Sequence, residues 1–363
     1  MESMHRQALL LVLFASAAVA AQQPAAPASL QPTTAAEAPN RDTSYIDPQG
    51  AVHVTRVVPL PLTISPQAQL SLSRQVPDQA PPQSLEERRR TTDESTARSG
   101  AAWSKLCPNT MVEDKIAGVP VRIFTPEGQP EGNRDNVLIN LHGGGFTSDS
   151  GSYAESIPIA SFTKMKVVSV MYRLAPEHPF PAGVDDAIAV YKELLKTYKP
   201  QHIVIYGTSA GAIITGEVAA KLKQLGMPMP AALGIFSALA DFARAGDTAS
   251  LYTSRGFAGH LEPPGPEPHD PYYIGGIDPK DPVLSPIYGD LHGMPPTLFV
   301  SSTRDMLLSG TSNLHRAYLR AGVDARLVVF DGLPHAFWYD AALPESQEAS
   351  HLMADFFVKE LGK

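Results

Sequence analysis

The chain has 363 residues, 43% hydrophobic and 18% charged, a balance that suits a folded protein with one large α/β domain. A net charge of −8 without a long basic run argues against a nucleic-acid partner. A single cysteine, Cys107, excludes an intrachain disulfide framework and a multi-cysteine metal site, and the body of the chain holds no apolar run of the roughly 18 residues that would span a membrane.

At the N-terminus, His5 and Arg6 precede an apolar run over 8–20 that ends in the small-x-small site Ala18-Val19-Ala20. This pattern predicts a secretory signal peptide over 1–20, cut after Ala20 or Ala21, and a secreted or periplasmic mature protein. No cysteine stands at the cut, so no stable membrane anchor is expected. Residues 21–61, rich in Ala, Pro, Gln and Thr, read as a disordered linker. Over 62–109 two helices are expected, 67–74 and 84–105, the second opened by Ser84 and Glu87 in capping-box spacing. They are read as a cap.

From residue 110 to 363 strands and helices alternate. Strands are predicted over 110–114, 119–124, 137–141, 167–172, 202–206, 232–237, 297–301 and 326–330. Helices are predicted over 153–166, 210–225, 310–321 and 346–361. A further helix is marked by Val184, Ala187, Ile188, Tyr191, Leu194, Leu195 and Tyr198, which fall on one face. The alternation implies a mostly parallel sheet covered by helices on both sides. The stretch 251–286, dense in Pro, Gly and Tyr, interrupts it and reads as part of a pocket wall.

Gly207-Thr208-Ser209-Ala210-Gly211 matches Gly-x-Ser-x-Gly between a predicted strand and a predicted helix, the setting of a nucleophile elbow. A serine hydroxyl is a poor nucleophile unless a base, itself oriented by a third group, takes its proton. Asp305 and His335 follow two later strands, in the order Ser, Asp, His and on the sheet edge where Ser209 stands. His142-Gly143-Gly144-Gly145 directly follows the strand 137–141. Its backbone amides suit a negatively charged oxygen, with Gly143, Gly144 and Ala210 as the expected oxyanion donors. Glu177 and His178 lie in a proline-rich connector and read as scaffold. The remaining histidines lack metal-ligand spacing, and no cofactor is expected.

Taken with Tyr172-Arg173-Leu174-Ala175-Pro176-Glu177-His178-Pro179-Phe180-Pro181-Ala182, Asp281-Pro282-Val283-Leu284-Ser285-Pro286 and Gly293-Met294-Pro295-Pro296, these motifs resemble the hormone-sensitive-lipase-like (bacterial family IV) esterases, in their Gly-Thr-Ser-Ala-Gly branch. The resemblance covers 110 to the C-terminus. It implies the α/β-hydrolase fold with an N-terminal helical cap, and hydrolysis of short- to medium-chain carboxylic esters without metal or cofactor. A homodimer is within the family's range. Thr208 stands where the family often has Asp, and Ser309 where many members carry a second acid. Two other readings stay open: a lactone or amide hydrolase with the same triad, and a non-catalytic small-molecule binder on this fold.

Overall fold

A computed structural model describes residues 44–54, 57–74, 84–244, 246–254, 256 and 271–362. The expected signal peptide and the linker up to residue 43 lie outside them. The chain divides into two units, 1–58 and 59–363.

In the first unit, β1 (Tyr45–Ile46) pairs antiparallel with β2 (Val52–His53). This corrects the expectation of disorder for that part of 21–61. The order is local and needs no core. Asp47 Oδ1 accepts from the Gln49 amide at 3.0 Å and the Ala51 amide at 2.9 Å, closing the turn, and the Tyr45 ring stacks on His53 at 4.4 Å.

The second unit opens with α1 (Pro66–Ser73), capped by the Ser65 hydroxyl, which accepts from the Ala68 amide at 3.1 Å. Ser65 also donates its own hydroxyl to Glu345 at 2.9 Å. Next comes α2 (Leu85–Leu106). Ser84 caps it through the Glu87 amide, but only half of the expected box forms, because the Glu87 carboxylate turns to Arg90 instead. Two strands follow, β3 (Asn109–Ile116) and β4 (Val119–Pro126), joined at Ala117-Gly118. Then come β5 (Val137–Leu141), α3 (Ser152–Thr163), β6 (Lys166–Val170), α4 (Ala182–Leu194), β7 (Ile203–Thr208), α5 (Ala210–Gln224) and β8 (Ala232–Phe236). After two short helices, α6 (Asp247–Leu251) and α7 (Pro271–Ile274), the chain ends with β9 (Thr297–Arg304), α8 (Leu308–Arg320), β10 (Ala325–Pro334) and α9 (Pro344–Leu361).

The eight strands β3 to β10 form one sheet in the order β10-β9-β8-β7-β5-β6-β4-β3. Neighbours from β10 to β6 are parallel, and only β4 runs against the rest. Both faces are covered. Along β5, Val137, Ile139 and Leu141 face a core shared with α4, α5 and α8, while Leu138 faces one shared with α3 and α9. The central strands therefore read as continuous apolar runs rather than alternating ones, and each fully buried aliphatic side chain contributes about 1.5–3 kcal/mol.

Helix α2 lies on α3, where Gly100 permits the approach: a Cβ there would sit 2.8 Å from Tyr153 Cβ. At its other end Arg89 clamps it. The guanidinium donates twice to the Glu177 carboxylate, at 2.7 Å each, once to the Ala175 carbonyl at 3.0 Å and once to the Thr147 carbonyl at 2.7 Å. Glu177 thus serves as the scaffold its proline-rich setting suggested, and Arg89 holds its carboxyl down at about 2. Replacing Arg89 by Ala should release the N-terminal half of α2. In hydrogen exchange the amides over 85–95 should lose about tenfold or more in protection while those of β5 and β7 keep theirs; equal protection would show that the clamp does not hold the helix.

Candidate active site

All the parallel strands deliver their carboxyl ends to one edge of the sheet, and the chemistry-bearing residues follow those ends. Ser209 comes directly after β7, with φ of 57° and ψ of −123°, in the strained turn that Gly-x-Ser-x-Gly predicts. The flanking glycines are required by close approach. A Cβ on Gly211 would lie 1.8 Å from the Leu141 carbonyl oxygen, and one on Gly207 2.3 Å from the same atom. The elbow is pressed against the end of β5, where the glycine loop begins.

The structure brings Ser209, His335 and Asp305 together. His335 Nε2 lies 2.9 Å from Ser209 Oγ, and Nδ1 lies 2.9 Å from Asp305 Oδ1. With Nδ1–H donated to the carboxylate, Nε2 is left to accept the serine proton. Asp305 is fully buried. Burial pushes its carboxyl up, yet the charge and hydrogen bond of His335, the Ser237 hydroxyl and the Leu307 amide hold it below the usual range. The Ser301 hydroxyl also donates to Oδ2, at 2.9 Å, and Ser237 donates to that same oxygen.

No motif in the sequence marks Ser237 or Ser301. Their signal is available: the Ser237 hydroxyl directly follows β8, and the Ser301 hydroxyl lies on β9 four residues ahead of the acid. Ser309, which replaces the second acid common in the resembling family, has a different task. It exchanges hydrogen bonds with Thr248, accepting from the Thr248 amide at 3.2 Å and donating its own amide to Thr248 Oγ1 at 3.0 Å, which ties α6 to the acid loop. Thr208 is fully buried and accepts from Trp338 Nε1 at 3.1 Å.

The glycine loop departs from expectation at one position. The Gly143 amide, expected to face the oxyanion, donates to Glu155 Oε1 at 2.9 Å. Glu155, from the first turn of α3, reaches back beneath the loop. Its carboxyl also accepts from Asn140 Nδ2 at 2.7 Å and from the Tyr339 hydroxyl at 2.5 Å. The amides of Gly144, Gly145 and Ala210 donate to no other described residue, so the available set is Gly144 and Ala210 as expected, with Gly145 in place of Gly143. Gly144 has φ of 131°, and a Cβ on it would strike the Ser148 carbonyl oxygen at 1.9 Å, which fixes glycine there. His142 is buried, donates Nδ1–H to the Gly143 carbonyl at 2.9 Å and stacks on Tyr172, whose hydroxyl donates to the His142 carbonyl at 2.6 Å. The loop is therefore braced from below by Glu155 and from the side by Tyr172. Glu155 has a sequence signal too, as the one charged residue in the otherwise apolar or hydroxylated stretch 152–163.

A carboxyl, an imidazole and a hydroxyl in relay beside unclaimed backbone amides, at the carboxyl edge of a mostly parallel sheet, define an α/β hydrolase. Comparison with known proteins agrees. The family model described as alpha/beta hydrolase fold matches residues 138–339. An acetyl-hydrolase of Streptomyces hygroscopicus is 32% identical over 242 residues, covering 65% of this chain and 79% of the relative. An esterase of Acinetobacter venetianus is 29% identical, covering 65% and 80%. Among solved structures, one esterase matches with a TM-score of 0.72 at 32% identity, over 84% of this chain and 97% of that one. An esterase of the bacterial hormone-sensitive lipase family matches with a TM-score of 0.69 at 28% identity, over 82% and 99%. The chain belongs to the α/β-hydrolase fold family, among its hormone-sensitive-lipase-like (bacterial family IV) members.

Burial pushes the Glu155 carboxyl up to about 7, with nearby Asp149 adding to the rise and its three donors opposing it. The folded state therefore keeps a proton that the unfolded chain releases above its ordinary 4.5. Stability from this group is full below about pH 4.5, declines as pH rises and levels off above about 7, an effect on the order of 3 kcal/mol. In urea titrations Glu155→Gln should flatten the decline in stability between pH 5 and 7. An unchanged slope would mean that the carboxyl stays ionised through that range.

Proposed function

We propose that the chain is a serine carboxylesterase in which Ser209, His335 and Asp305 carry out acyl transfer. The observation that carries this is the unbroken relay from Ser209 Oγ through both ring nitrogens of His335 to Asp305, each step at 2.9 Å. His335 takes the serine proton as Oγ attacks the ester carbonyl. It then delivers that proton to the departing alcohol, leaving an acyl-serine, and the cycle repeats with water in place of serine to release the acid. Asp305, kept ionised by His335 and by its hydroxyl and amide donors, orients the ring and stabilises the imidazolium. The amides of Gly144, Gly145 and Ala210 receive the tetrahedral oxyanion, each donor worth roughly 2.7–4 kcal/mol of barrier. Thr208 supports a place in the Gly-Thr-Ser-Ala-Gly branch.

The relatives named esterase and acetyl-hydrolase support ester hydrolysis over the lactone or amide alternatives, and the intact relay speaks against a silent binder. Ser209→Ala should lower kcat on p-nitrophenyl acetate by about a million-fold and abolish fluorophosphonate labelling. Wild-type turnover in that variant would refute the assignment.

Export is part of the proposal, supported by Arg6, the apolar run over 8–20 and Ala18-Val19-Ala20. Protein purified from its native host should have an intact mass that starts at residue 21 or 22. A mass retaining Met1 would refute export by this route.

A further inference from the structure

Against His335 lies a cavity of about 1190 Å³ between α2 and the segment 335–341. Its position assigns it a role in the proposed reaction, and the inference rests on that reading. His335 and Ala336 line it, while Ser209, Gly144, Gly145 and Ala210 do not. The serine and the amides hold the carbonyl and acyl side of an ester. The imidazole returns its proton to the leaving oxygen. The space that opens on the imidazole alone is therefore where the leaving alcohol extends.

The chemistry of its walls is unusual for a site taking simple alkyl esters. No Leu, Ile, Val, Met or Phe lines it among the described residues; the nonpolar and aromatic residues that do are Ala102, Ala336, Ala341 and Tyr339. Helix α2 turns a polar stripe to it, running Arg88, Thr92, Ser95 and Ser99 at helical spacing, with Arg98 beside them. Ser99 spends its hydroxyl on the Tyr339 carbonyl, at 2.6 Å, but the hydroxyls of Thr92 and Ser95 have no hydrogen-bond partner among the described residues. Arg88 is held at the wall by its bond to Thr147 Oγ1 at 3.1 Å. Neither Arg88 nor Arg98 has an acidic partner among the described residues. The one carboxylate in the described lining, Asp340, accepts from the Ala342 amide at 3.0 Å and stands against the two guanidiniums of Arg88 and Arg98, which leaves the described lining net positive. Each alkyl CH₂ transferred from water to an apolar wall contributes about 0.8 kcal/mol, and here no large aliphatic side chain among the described residues offers one. Free hydroxyls, and guanidiniums without an acidic partner among the described residues, instead match a group that accepts hydrogen bonds and carries negative charge.

We infer that the leaving-group side of this esterase takes a polar, anionic alcohol, one bearing a carboxylate or comparable negative group, rather than an alkyl alcohol. The test holds the acyl group constant as acetate and varies the alcohol: 3-acetoxypropionate, glycerol monoacetate and n-propyl acetate, each followed by acetic acid release. The wild type should favour 3-acetoxypropionate over propyl acetate in kcat/KM, with glycerol monoacetate between them. Arg98→Gln should lower the ratio of 3-acetoxypropionate to propyl acetate about five- to tenfold, and 0.5 M NaCl should compress it in the wild type. Arg88→Gln should lower the ratio in the same direction. A wild type that prefers propyl acetate, or a ratio indifferent to both substitutions, overturns the inference while leaving the esterase reading in place. No turnover of any acetate, p-nitrophenyl acetate included, overturns both.

Discussion

The absent side chain at Gly211 is the constraint on which the site depends. Because nothing stands between it and the Leu141 carbonyl, the nucleophile turn can settle directly on the end of β5. That contact makes one locus of two chain segments more than 60 residues apart: the amides after Leu141 and the hydroxyl after Thr208 come to face the same small volume. Any larger residue would push the elbow off the strand and separate attacking group from stabilising donors. A misplacement of about 1 Å is enough to cost on the order of a hundredfold in rate. The positive φ of Ser209 is the local strain that this packing sustains.

Around that contact the protein arranges two buried carboxyls in opposite ways. Asp305 meets an imidazole that can become a cation and three donors, Ser237, Ser301 and Leu307, so it stays charged. Glu155 meets only neutral donors and has Asp149 nearby, so burial dominates and its carboxyl rises. The division suits the tasks. An ionised acid behind the imidazole favours the imidazolium that forms during attack, whereas a carboxyl beneath the glycine loop serves by accepting the Gly143 amide and fixing where the next amides point.

The parts that could be read from sequence are those carried by order and period. Ser209, Asp305 and His335 each follow a strand whose apolar run is plain, and parallel strands place all three on one edge whatever the details of packing. The parts that could not be read depend on how elements dock. Nothing in the spacing of Gly143 and Glu155 says that α3 returns its first turn beneath the loop, so the glycine run by itself points to Gly143 as an oxyanion donor. The short ladder at 45–53 was hidden because its Ala-, Pro- and Gln-rich surroundings set the reading, while its order comes from one carboxylate, Asp47, closing a turn. The polar stripe of α2 is visible as a helix face, but only the structure shows that it looks onto His335.

Helix α2 also keeps its two tasks on different residues. Attachment falls to Arg89, Gly100 and Trp103, which bind or pack against the hydrolase body, and the solvent side carries the pairs of Arg90 with Glu87 and Glu94. Thr92, Ser95 and Arg98 take no part in either. Substitutions there can accumulate with little penalty to folding and none to proton transfer. Descendants of this chain thus have a route to new substrate ranges through a handful of codons in a single helical turn or two, with the reaction itself inherited intact.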